Sequence, residues 1–415
     1  MTAPAEPPPL RLALAGFGSA LVFVLAGSIG LIGVAPDLAA GWFPLPRVVA
    51  VVHLFTLGWI TLSILAALHY FVPVALHTSL MPEPAAWVQL AAFDLGLTVF
   101  TAGELFGLPS AIVAGASVLA LALLAYALGL AAAMLRARPR GRTARALLAA
   151  ALFLVVTLTL GELLAGGRAF GWLGGRQLPV LSLHVRLALM GWVLLVLAAV
   201  GQRLLPMFLL APAPGARLAA ASLTLVAAGA LALLPCYGRT GRAAWLPLLA
   251  GAAGLALFLG QAAATFRRST QARIDPGLRL AGAGLALLAL ALLLVVYSAA
   301  AGASAPPVVL LVAAVLLALT LVIAGHYYRL VPFLVWSSRW ARVRDGQAAP
   351  RSPANLYRDD AASASLILLA AGAGTLLVAV GFRVGSVAAA GALVFALGTA
   401  IMAWQMARTM ASRPH

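Results

Sequence analysis

Most of the chemistry this chain can offer rests on its six histidines. Five of them, His53, His69, His77, His184 and His326, fall inside or at the ends of long apolar runs. A neutral imidazole there either bonds a neighbouring carbonyl as a core residue or serves as a metal ligand. His53 and His184 stand 20 and 22 residues before Pro73 and Pro206. On helices rising 1.5 Å per residue, that places them within ~3 Å of one depth. His69 and His326 stand four and six residues before Pro73 and Pro332, a second pair toward the opposite helix ends. His53 and His69 share one helix but are separated by ~24 Å and ~160° of regular turn, too far to hold one ion. Imidazoles on facing helices suit haem iron or copper, two on one iron needing nitrogens about 4 Å apart. Arg186, two residues beyond His184, places a charge within a span, where it needs a partner. Glu104 and Glu162, each in a Gly-Glu-Leu triplet, are the candidates, and a haem propionate would serve equally. Asp94 is a candidate proton-route residue.

The elements that must position these groups are transmembrane helices. The chain has 415 residues, 64% apolar and only 9% charged. Its mean hydropathy is +1.06. A water-soluble domain needs roughly 25% charged residues, so lipid is the outer solvent here. Within lipid only helices and closed barrels satisfy the backbone, and apolar runs of ~20 residues point to helices. The runs place twelve helices at roughly 10–34, 47–77, 86–107, 110–135, 145–165, 180–210, 216–235, 243–266, 278–301, 306–337, 362–382 and 385–408. The expectation is one all-α transmembrane domain over 1–415. The first run is read as a retained helix, being longer than a signal-peptide core.

The net charge of +17 is carried by Arg alone. The arginines lie in short breaks between apolar runs, which points to membrane topology rather than nucleic-acid binding. With the N-terminus inside, 20 arginines face the cytoplasm and six the outer side. The expected location is a bacterial inner membrane with both termini cytoplasmic. Arg203 and Arg329, near the inner face, are expected to snorkel to lipid phosphate. The single cysteine, Cys236, excludes an internal disulfide framework.

Three proline segments, HYFVPVAL at Pro73, QRLLPMFL at Pro206 and YRLVPFLV at Pro332, align helices 2, 6 and 10. Gly58-Trp59 and Gly191-Trp192 keep the same distance from the first two prolines. Three four-helix repeats follow, over approximately 10–135, 145–266 and 278–408. Sites in such proteins gather at repeat interfaces.

Twelve helices in three groups of four, with histidines on helices 2 and 6, resemble subunit I of the haem–copper oxidase superfamily. The resemblance is nearest to the nitric oxide reductase and cbb-type branch. The stretch from His53 to His69-Tyr70-Phe71-Val72-Pro73 is similar to that branch's helix 2, which carries a low-spin-haem histidine and ends in a Tyr-Tyr-x-Val-Pro-like run. GHYYRLVPF in helix 10 echoes the same ending. His184 falls where the family places a ligand of its second metal. The chain is also similar to twelve-helix haem- and copper-containing proteins linked to nitric oxide tolerance. It departs from the family at helix 7, LTLVAAGALALLP, which lacks the His-His pair. It departs again at VVLLVAAVLLAL in helix 10, which lacks His-x-His. The usual binuclear-centre ligands are therefore missing.

The resemblance implies a haem-binding protein, or one binding copper, in respiratory electron transfer or in oxygen or nitric oxide handling. Its implied ligands are His53 and His184, with His69 and His326 as a second pair and Arg186 beside them. Other respiratory subunits or a cytochrome are the implied partners. Two other readings stay open. One is a transporter using Arg186, Glu104 and Glu162. The other is a non-catalytic assembly or scaffold subunit.

Overall fold

The computed structural model describes residues 10–138, 140–238, 241–301, 305–340 and 352–413. Among them are twelve long helices and no strand. They are α1 (Leu10–Ala40), α2 (Pro46–Leu76), α3 (Glu83–Phe106), α4 (Pro109–Arg136), α5 (Arg142–Phe170) and α6 (Gly174–Leu209). The chain continues as α7 (Ala216–Ala232), α8 (Leu246–Arg267), α9 (Pro276–Ala301), α10 (Ala305–Arg339), α11 (Asp359–Phe382) and α12 (Gly385–Ala411). Eleven are long and apolar enough to cross a membrane. The protein is an all-α polytopic membrane protein. The exception, α7, has 17 residues. It stops short of the expected end because Pro235 cannot continue a helix and Gly238 turns the chain at φ 72°.

Packing divides the chain into two units. The first contains Leu68–Arg273 and Leu292–Ala303; the second contains Pro9–Ala67, Ile274–Ala291 and Ser304–His415. In the first unit, α3 lies against α4 and α7 against α8. Glycines set these approaches. A Cβ on Gly96 would stand 2.6 Å from the Leu119 nitrogen, and one on Gly229 would stand 2.6 Å from the Gly251 nitrogen. In the second unit, α11 lies against α12 in the same way, with Gly372 against Phe395. Small residues let helix backbones approach closely where lipid offers no hydrophobic drive. The third and fourth helices of each proposed repeat thus form a close pair.

The turns repeat as well. Between α3 and α4, Gly107 is left-handed (φ 64°) and Leu108 has φ −103°, ψ 96°. Between α11 and α12, Arg383 takes φ 59° and Val384 takes φ −103°, ψ 94°. Both turns return a main-chain N–H to the carbonyl five residues back, Leu108 to Gly103 and Val384 to Ala379, at 2.9 Å. The two loops share one backbone path although glycine occupies the strained position in only one.

Neither α2 nor α6 is a regular α-helix throughout. Leu54–Thr61 in α2 and Leu187–Leu194 in α6 are eight-residue π segments. Each carries its Gly-Trp pair at the fifth and sixth positions. π turns are rare and frequently mark functional sites. In α10 the equivalent stretch is continuous α-helix. The π segment in α2 lies between His53 and His69, so the ~160° expected from regular turns does not apply: it rested on an unbroken 3.6-residue period.

A further shared feature accompanies the three prolines. Each removes the donor for the carbonyl four residues earlier. Those residues are His69, Gln202 and Tyr328, all polar, and their exposures are only 6%, 4% and 1%.

Candidate functional site

In the first unit, His184 lies in the last turn of the α-helical part of α6, three residues before the π segment. Its Nδ1 lies 3.1 Å from the main-chain oxygen of Thr157 on α5. A carbonyl can only accept, so Nδ1 carries the proton and Nε2 the lone pair. Gly161 faces the ring: a Cβ there would stand 3.3 Å from Cε1. A small residue on α5 therefore leaves room for the imidazole.

The carboxylates of this unit do not take the partners expected from sequence. Glu104, 1% exposed, binds Arg168 at 2.8 Å. Glu162 accepts a 3.0 Å hydrogen bond from Ser117. Among the described residues Arg186 has no carboxylate within ion-pair distance. The expectation that Glu104 or Glu162 neutralises it is corrected. Arg168, from the last turn of α5, claims Glu104, and the Ser117 hydroxyl of α4 holds Glu162. Asp94 is half-buried on α3, and its main-chain oxygen accepts from Thr98 Oγ1 at 2.7 Å. His69 is buried edge-on to Tyr126, with ring centroids 5.4 Å apart. Among the described residues its Nε2 has no hydrogen-bond partner. His77 is exposed and left-handed (φ 53°) just past the end of α2, where it serves as a helix-end residue.

In the second unit, His53 is the last residue before its π segment. Its Nδ1 donates to the Val49 carbonyl at 2.8 Å, one turn back. His326 repeats this geometry, donating to Val322 at 2.7 Å. Three of the four candidate ligands are thus fixed in the tautomer that places the lone pair on Nε2. Within the π segment, Trp59 is wholly buried and packs on Tyr327 at 4.6 Å, and the Tyr327 hydroxyl meets Ser63 at 2.8 Å. The indole N–H groups of Trp59 and of its repeat counterpart Trp192 are buried without an acceptor among the described residues.

Arg329 does not reach to lipid as expected. It pairs with Asp275 at 2.6 Å, and Asp275 also caps α9 by accepting from the Leu278 N–H. Beside it, Tyr328 donates to Ser365 at 2.7 Å and accepts from Gln405 at 3.1 Å. Tyr357, in the loop before α11, stacks edge-on against Tyr328. Its phenol is pushed well above the usual range, first by burial and then by Asp275 and Asp359. Sequence reasoning passed over Asp275, Gln405 and Ser365. The signal for Asp275 was its place immediately before Pro276, where a helix opens.

Among the described residues no three of His, Cys, Asp and Glu gather as an all-protein metal cage. An axial haem ligand set needs only one or two side chains. No family model matches the chain, and no curated protein matches it.

Proposed function

We propose that this chain is a haem-binding protein of the bacterial cytoplasmic membrane, built on the plan of haem–copper oxidase subunit I. Nε2 of His53, in the second unit, and Nε2 of His184, in the first, are each a candidate iron ligand. The observation that carries the proposal is the tautomer: at both residues Nδ1 donates to a main-chain carbonyl. Metal-bound histidines characteristically donate their other ring N–H in this way, which fixes the ring and raises its basicity. These residues therefore fit haem, and fit copper as the lesser alternative.

Haem would supply one-electron chemistry or the binding of a diatomic gas. The chain's own residues hold and orient. Val49 and Thr157 aim the two imidazoles, and Gly161 leaves His184 its space. Arg186, which has no carboxylate partner among the described residues, offers a cation to a propionate. Without the His-His and His-x-His ligands of the resembled family, the role is electron transfer or gas handling rather than turnover at a binuclear centre. The Arg distribution supports cytoplasmic termini. Respiratory subunits or a cytochrome are the proposed electron partners.

Haem content per chain, measured on protein purified after haem-replete expression, tests the proposal. Wild type is expected to retain haem, with His53→Ala and His184→Ala each reduced. Protein that binds neither haem nor copper removes it.

A second reading has one observation in its favour. Arg186 lies in a span and, among the described residues, has no carboxylate within ion-pair distance, as a transporter's anion-binding residue would. Anion uptake into liposomes by haem-free protein, abolished in Arg186→Gln, would establish that reading.

A further inference from the structure

A group of arginines in the first unit, where α5 begins and α6 nears its end, lies outside the histidine geometry above. α5 opens on Arg142, with Arg145 three residues on. Gly141 before it supplies no side-chain cap, and the first turn holds no acidic residue. Two cations thus occupy the positively polarised end of a 29-residue helix, whose first N–H groups have no helical acceptor. From α6, Arg203 adds a third, its Nε donating to Thr143 Oγ1 at 3.2 Å.

Among the described residues no acidic side chain neutralises this group. Among the described residues none of the three arginines is ion-paired, and Arg142 Nε is buried without an acceptor. Two neighbouring arginines are engaged otherwise: Arg136 donates to the Ser79 carbonyl and Arg140 to that of Leu135. Like charges crowded at the positive end of a helix repel one another, and an anion would relieve them.

The surroundings select the kind of anion. Both helices are long apolar spans, so the arginines sit where a span meets the head-group layer. Leu152, two turns along α5 on the face of Arg145, is 59% exposed and offers an apolar surface in line with the charge. We propose that Arg142, Arg145 and Arg203, with the N-terminus of α5, bind the phosphate of an anionic glycerophospholipid whose acyl chain lies along α5.

Native mass spectrometry of delipidated full-length protein tests this, with phosphatidylglycerol and phosphatidylcholine of matched chains as probes. Wild type is expected to bind a first phosphatidylglycerol in preference to phosphatidylcholine. Arg145→Gln is expected to weaken that binding about fivefold, the effect of one surface cation. The triple variant Arg142→Gln, Arg145→Gln, Arg203→Gln is expected to lose the preference, while Arg267→Gln with Arg268→Gln keeps it. Arg145 is exposed, so its single variant reads the site without threatening the fold. Equal preference in wild type and in Arg145→Gln would overturn the proposal. So would displacement of the lipid by equimolar inorganic phosphate, which would mark a site for free anions.

Discussion

The His184 imidazole on α6 is tied to α5 through the main-chain oxygen of Thr157, 3.1 Å from Nδ1. Because the acceptor belongs to the backbone, no side-chain substitution at Thr157 removes it, and the ring is held as rigidly as the helix pair. Gly161 is the position from which the ring can be moved. Gly161→Ala places a methyl 3.3 Å from Cε1 and forces the imidazole aside. Alanine favours the helix, so thermal unfolding should change little. Haem affinity should fall about tenfold, as it does when the orientation of a ligand is disturbed. Unchanged haem retention in Gly161→Ala would separate His184 from the iron.

The Glu104–Arg168 pair should behave as a buried bridge with one partly accessible end. The side-chain exposures are 0% for Glu104 and 24% for Arg168. Glu104→Gln alone should destabilise by about 2–4 kcal/mol, because the guanidinium loses its carboxylate while remaining partly desolvated. Glu104→Met with Arg168→Met should recover much of that loss. A double-mutant cycle on thermal unfolding in detergent measures the coupling, and additive single effects would contradict the pairing.

Arg186 should respond in the opposite sense. Among the described residues it has no carboxylate to strand, so Arg186→Met in haem-free protein should be neutral or stabilising by about 1 kcal/mol. Arg168→Met in the same assay should be clearly destabilising. Equal losses from the two variants would show that Arg186 is held by a protein anion after all.

Arg383 occupies the left-handed turn position that Gly107 fills in the matching loop. A residue with a Cβ is strained there by roughly 1 kcal/mol. Arg383→Gly should therefore raise stability by up to about 1 kcal/mol, and Gly107→Arg should lower it by a similar amount. Unfolding midpoints that move in the same direction for both variants would contradict the equivalence of the two loops.

Much of the scaffold is legible in the amino-acid sequence. Apolar run lengths place the helices, and Pro73, Pro206 and Pro332 with the Gly-Trp pairs are the basis for expecting a four-helix period. The π segments are not legible. LFTLGWIT and LALMGWVL read equally well as α-helix, and the wider turn depends on how neighbouring helices press on them. Gly191, for example, packs against Phe153 of α5. The charge partners are legible only in part. Glu104, Glu162, Arg168 and Arg186 all come from segments near one end of α3, α5 and α6, yet which acid meets which base depends on the rotation of each helix. Asp275 lies in a loop, where hydropathy carries no signal, so its hold on Arg329 was missed. The polar residues four before each proline, His69, Gln202 and Tyr328, were readable from the alignment itself. Three different residue types, however, do not register as a repeat.

The most direct measurement is the reduced-minus-oxidised optical spectrum of purified haem-replete protein, recorded for wild type, His53→Ala, His184→Ala and Arg168→Met. If His53 and His184 ligate iron, wild type and Arg168→Met share one Soret and α-band pattern. Each histidine variant then loses that pattern or shifts it to high spin. Identical spectra in all four proteins, or no haem absorbance in any, would contradict the assignment.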